Sequence, residues 1–242
     1  MMRITDFQVL SFDVYGTLID WETGIHTALR PLWSRLDPVP SRDAVLEAHA
    51  RQESALQRLT PERRYSDLLA TVYRRLAEEW GLRVDWAACR HYGASVGDWP
   101  AFSDSAAALA ELQRDFRLAV LTNTDNDSFA ASSARLGVSF DAVFTAEDVG
   151  AYKPSDIGFQ TMLTGLAGMG VARDRVLHVA ESLFHDHVPA ARHGLARCWI
   201  HRRHDQAGFG ATMDPGETPQ VDLRFTSLAA LVAAVRAERA QP

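Results

Sequence analysis

Asp13 closes a short apolar run, FQVLSF (7–12), and the nearby Gly16 suits a chain that breaks from a strand into a loop. Other apolar runs end in the same way. Thr122 and Asn123 close RLAVLTN (117–123), Lys153 follows DAVFTA (141–146), and Glu181, Ser182 and Asp186 follow RVLHVA (175–180). Taken singly, each has a plain structural reading, since a strand-terminal Asp is usually a turn former and Thr or Asn caps strand ends. Taken together, they bring carboxylates, an ammonium, and hydroxyl and amide donors to the carboxyl ends of strands, where open parallel sheets bind ligands.

The elements that must carry these residues alternate. Besides the runs above, ARCWIH (196–201) reads as a strand, and segments with helical spacing lie between the strands. Asp104 precedes AAALAELQRDF as a helix cap, and the helical stretch 126–137 ends at Gly137. This alternation predicts an α/β fold, a doubly wound, Rossmann-like parallel sheet with helices on both faces. Nearly a hundred residues separate the first two strands, and 28–36, 44–59, 65–80 and 86–96 look helical. The expectation is therefore a core of 1–19 and 98–242 with an inserted helical cap at 20–97, Trp99-Pro100 marking the return. Residues 202–220, rich in Gly, Pro and charge, read as a long loop.

Composition narrows the function classes. The chain of 242 residues is 47% hydrophobic, with a net charge of −6, which argues against a nucleic-acid-binding face. Cys89 and Cys198 lack the spacing of a zinc site or disulfide framework and read as reduced thiols. No apolar stretch has the length of a signal peptide or membrane span, so a cytoplasmic location with no membrane partner is expected. Five histidines between 185 and 204 show no zinc-ligand spacing. The charged residues of 42–64 and 232–239 read as solvated helix faces.

FDVYGTL (12–18), LTN (121–123), YKP (152–154) and the segment Glu181 to Asp186 resemble, in order, the four motifs of the haloacid dehalogenase superfamily. The resemblance spans essentially the whole chain, and the helical insert stands where that family carries its first-type cap. It implies that Asp13 attacks the carbon bearing a leaving group and forms an ester, which water cleaves at the aspartyl carbonyl. Thr17 would hydrogen-bond Asp13, and Lys153 would hold it anionic. Thr122, Asn123, Glu181 and Ser182 would bind a small anionic carboxylate substrate, with Asp186 or Glu181 activating water. Tyr15 stands where phosphatases of the family carry an acidic Asp, which resembles the 2-haloacid dehalogenase branch, whose halide leaves without a proton. Arg51, in HARQES (49–54), matches an arginine that assists the leaving group there. That branch implies no organic cofactor and a homodimer.

Two departures stand out. AESLFHD (180–186) has the spacing of the phosphatase fourth motif, and Phe159 replaces a tyrosine of the dehalogenases. DWETGI (20–25), WPAF (99–102) and ESLFHDH (181–187) are similar to hydrolases of this branch that open the strained ring of azetidine-2-carboxylate. There a ring nitrogen is the leaving group and an amine-binding or proton-donating residue is needed, for which Glu181, His185 and Asp186 are candidates. Two other readings stay open: a Mg²⁺-dependent phosphatase, for which the likeness of the fourth motif implies an all-oxygen Mg²⁺ site at Asp13, Glu181 and Asp186, and a non-catalytic binding protein on a degenerate core.

Overall fold

The computed structural model describes residues 2–240. Six parallel strands form one sheet in the order β3-β2-β1-β4-β5-β6: β1 (Val9–Phe12), β2 (Arg117–Thr122), β3 (Ala142–Thr145), β4 (Val176–Ala180), β5 (Ala196–Ile200) and β6 (Leu223–Phe225). The strands at the centre are apolar on both faces because both are covered. Leu10, Phe12, Leu118, Val120, Leu177 and Val179 join one core, while Val9, Ala119, Leu121 and Val176 join a second. This alternation is the two-residue period of a strand packed between two helical layers. The doubly wound α/β core is thus as expected, and its chain order reverses at β1, between β2 and β4.

Six helices run between β1 and β2, the first five being α1 (Trp21–Ala28), α2 (Arg30–Trp33), α3 (Arg42–Leu59), α4 (Tyr65–Glu79) and α5 (Trp86–Ala94). The helix expected over 28–36 is instead the pair α1 and α2. Asp20 starts α1 early by accepting a bond from Thr23 N at 3.1 Å, and Pro31 opens α2. Gly24 lets α1 lie against Trp99, since a Cβ there would sit 2.3 Å from the indole. Ser41 and Asp85 cap α3 and α5 by the same side-chain device.

The rest of the chain alternates as expected, with α6 (Ser105–Leu112), α7 (Asn126–Leu136), α8 (Ala146–Val149), α9 (Asp156–Gly168) and α10 (Val188–Arg192) between strands, and α11 (Leu228–Arg239) last. β6 was not anticipated. It is a three-residue edge strand, too short to show a period. In α11, Leu228, Leu231, Val232 and Val235 are buried, so one face of this helix belongs to the core. No helix among the described residues is long and apolar enough to cross a membrane.

Candidate active site

The end of β1 sets the geometry. Asp13 N donates to Val179 O of the neighbouring strand at 3.1 Å, which holds the residue at the sheet's rim. The chain then turns at Gly16, whose φ of +95° and proximity to Trp21 leave no place for a side chain. That turn brings Thr17 back onto Asp13: Thr17 Oγ1 donates to Asp13 Oδ2 at 2.8 Å and accepts from Glu181 N at 2.9 Å.

Lys153 is the centre of charge. Its Nζ donates to Asp13 Oδ1 at 2.8 Å, Asp186 Oδ1 at 2.7 Å and Leu121 O at 2.9 Å, so all three protons are used. Asn123 holds the lysine backbone, donating from Nδ2 to Lys153 O at 3.0 Å and accepting from Lys153 N at 2.6 Å. Asp186 comes from a π-type turn, Leu183–His187, a form often found at functional sites. Its Oδ1 also meets His178 Nε2 at 2.9 Å, and Ser11 Oγ lies 2.9 Å from His178 Nδ1. Asp186 Oδ2 and His185 Nε2 are buried and unpartnered.

Burial raises the Asp13 carboxyl against the pull of Lys153 and Thr17. Burial also opposes ionisation of Asp186, but there Lys153 and His178 together outweigh it and hold the carboxyl below its ordinary value. Burial pushes His185 down to about 4, so it is neutral near pH 7. The site therefore holds one tightly ionised carboxylate, one carboxylate that is easier to protonate, and one shared ammonium.

Asp13, Tyr15, Asn123, Lys153, Ser182 and Asp186 all line one small cleft, as the sequence led one to expect. Its free volume is about 20 Å³, room for little more than one water. Beside it, sharing Gln57 and Lys153, is an open apolar hollow of about 340 Å³. Tyr15 shapes the cleft wall. Its hydroxyl is 2.9 Å from Ser132 Oγ on α7, and its ring meets Trp99 edge-on. Phe159 is fully buried behind the site, between His178 and His193.

Three expected residues do not reach the cleft. Arg51 is exposed and donates to Glu79 at 2.9 Å; two residues along a helix is a rotation of ~200°, so Arg51 points away from the face that carries Glu53. Glu181 turns the other way from Asp13, into a hollow it shares with Glu22 and Arg203. Burial beside Glu22 and Asp13 pushes its carboxyl up to about 8. Thr122 is buried with its Oγ1 unpartnered and does not line the cleft.

The cap supplies four residues that sequence reasoning missed: Trp21, Glu53, Gln57 and Tyr65. The expectation that the charges of 42–64 are all solvated fails at Glu53, which is 3% exposed. A signal for it existed, because 45, 49, 53 and 56 share one helix face, and Val45 and Leu56 mark that face as buried.

A Mg²⁺ site fits this arrangement poorly. Asp13 and Asp186 both spend Oδ1 on Lys153, and Glu181 lies in a different hollow. Among the described residues no three His, Cys, Asp or Glu side chains are grouped to hold a metal.

A family model for haloacid dehalogenase-like hydrolases matches residues 7–192. No curated protein matches the chain in sequence. Among solved structures, the L-2-haloacid dehalogenase from Xanthobacter autotrophicus with chloropropionic acid covalently bound is 20% identical, with a TM-score of 0.77 over 98% of this chain and 100% of that one. The L-2-haloacid dehalogenase PA0810 is 22% identical, with a TM-score of 0.76 over 94% of this chain and 98% of that one. The HAD-hydrolase YfnB from Bacillus subtilis, bound to magnesium, is 20% identical, with a TM-score of 0.73 over 97% and 100%.

Proposed function

The chain belongs to the haloacid dehalogenase-like hydrolases, the family whose model it matches over residues 7–192, and from that premise we propose that it hydrolytically displaces a leaving group from the α-carbon of a small 2-substituted carboxylic acid. Asp13 is the nucleophile. The observation that carries the reading is its setting: a buried carboxylate, tied to Lys153 and Thr17, at the floor of a closed cleft. Water is nearly excluded there, so the carboxylate is stripped of competing solvation and aimed at carbon.

Attack by an Asp13 oxygen breaks the bond to the leaving group and forms an aspartyl ester. Water then adds at the aspartyl carbonyl and releases a 2-hydroxy acid. The free Oδ2 of Asp186 orients that water, and Lys153 stabilises the Asp13 carboxylate before attack and again as it leaves the ester. Asn123 acts by holding Lys153. The hydroxyl at Tyr15 is turned toward Ser132, so the position that carries the acid in the phosphatases has none to offer here.

A single turnover in ¹⁸O-water tests this, with enzyme in excess over (S)-2-chloropropionate or (S)-azetidine-2-carboxylate. The label is expected in the peptide containing Asp13, with unlabelled product. Label entering the product directly in the first turnover would overturn the ester route.

A further inference from the structure

The cleft of about 20 Å³ is close to one water in size, so a substituent on the reacting α-carbon has to extend beyond it. Two larger spaces adjoin it. One, of about 480 Å³, shares Trp21 with the cleft and is lined by Glu22, Glu181, Arg202 and Arg203, so an apolar group placed there would cover charged side chains. The other is the hollow of about 340 Å³ that shares Gln57 and Lys153 with the cleft.

This second space is apolar because the polar side chains around it are already engaged. Helix α3 faces both spaces: Glu53 and Gln57, four residues apart, form the row toward the cleft, and Ser54 and Arg58, turned on by ~100°, form the row toward the hollow. Arg58 Nη1 donates to Ser54 Oγ at 2.8 Å. On the core side, Tyr152 donates its hydroxyl to Arg63 O, Ser155 Oγ accepts from Ile157 N at 3.4 Å, and Lys153 spends its three protons on Asp13, Asp186 and Leu121. The ring of Tyr152, with Pro61, Pro154 and Phe184, is what the hollow offers an occupant.

Gln57 stands at the neck between the two spaces. It is 7% exposed, and its amide pairs with no side chain or backbone group among the described residues. A nearly buried amide costs stability until something meets it. With the protons of Lys153 spent and no arginine lining the cleft, this amide is a free donor for an anion held beside Asp13.

The geometry points to a substrate whose α-carbon carries an extended apolar group of several carbons, seated in the hollow, with its carboxylate on the Gln57 amide at the neck. The inference rests on Asp13 as the nucleophile, since Asp13 fixes where the α-carbon lies. A methyl substituent leaves the hollow unfilled. Each methylene added to it moves apolar surface out of water, and full burial is worth about fourfold in affinity per methylene. Chain length is therefore read by Pro61, Tyr152, Pro154 and Phe184, and the acid group by Gln57.

The test is calorimetric binding of three 2-hydroxy acids of the kind this reaction releases: (R)-lactate, (R)-2-hydroxyhexanoate and (R)-2-hydroxyoctanoate. Wild type is expected to bind 2-hydroxyhexanoate at least about tenfold more tightly than lactate, and 2-hydroxyoctanoate more tightly still. Ser54→Phe, which puts a ring into the hollow and leaves the cleft row of α3 unchanged, is expected to abolish most of that gain. Gln57→Leu, similar in size but without the amide, is expected to weaken all three acids about tenfold and to keep the gain with length. Equal or weaker binding of the longer acids by wild type, no binding of any of them, a gain that survives in Ser54→Phe, or affinities unchanged in Gln57→Leu overturns the inference. The wild-type series decides even if a variant does not fold. ¹⁸O label at Asp13 without a gain in affinity with length would leave the nucleophile standing and remove the hollow from the substrate site; the gain without the label would do the reverse.

Discussion

Lys153 Nζ lies 2.8 Å from Asp13 Oδ1, joining two residues 140 apart in sequence, each less than a tenth exposed. The contact links the loop between α8 and α9 to the end of β1, and it also ties stability to catalysis, because Asp186 claims the same ammonium at 2.7 Å.

Removing the ammonium and removing the nucleophile should therefore have very unequal effects on stability. Lys153→Met strands two buried carboxylates and is expected to cost about 3–5 kcal/mol in urea unfolding, with turnover down on the order of a hundredfold or more. Asp13→Asn leaves Lys153 paired with Asp186 and is expected to change stability by less than about 1 kcal/mol while abolishing turnover. Substantial turnover by Asp13→Asn would remove Asp13 as nucleophile.

His178 is expected to act through Asp186. His178→Phe deletes the contact at 2.9 Å and leaves Ser11 Oγ unpartnered, at a cost of about 1–3 kcal/mol. Because it touches no cleft surface, the variant should lower kcat with KM little changed; an unchanged kcat would make His178 purely structural.

Stability should fall between about pH 4.5 and 7 on account of Glu53. Its folded-state value is raised above that of the unfolded chain, so its contribution is complete below the unfolded value and lost as pH rises through the folded one. Burial at about 7 against 4.5 corresponds to at most about 3 kcal/mol. Urea unfolding of Glu53→Gln, which cannot ionise, should therefore gain on wild type from pH 5 to pH 8. A constant difference across that range would mean that Glu53 is not buried as a neutral acid.

Arg51→Ala should leave turnover unchanged and cost no more than about 1 kcal/mol, since the pair it breaks with Glu79 is exposed. A large loss of activity would put Arg51 back in the site.

Most of the core could be read along the chain. Strands buried on both faces announce themselves as continuous apolar runs, and Asp13, Asn123, Lys153 and Asp186 stand just beyond such runs, where a parallel sheet must place them on one rim. The edge strand β6 left no such trace.

Partnership within the site was another matter. Asn123 looked like a substrate ligand and is spent on the Lys153 backbone, Glu181 sits one residue from Ser182 yet faces Glu22, and His178 entered no reading at all. Neighbours in a strand-to-helix turn point in different directions, and their partners come from segments far away in sequence. The cap gave the same lesson more sharply. HARQES holds both Arg51 and Glu53, and local similarity favoured the arginine; the packing of α3 against α4 and the core turned the glutamate inward. The chain's own pattern determined the sheet, the helical insert and the nucleophile's address, because these follow from local periodicity. Which charge the cap presents to the nucleophile was decided only in the folded molecule, because the rotation of a helix about its axis is set by what it packs against.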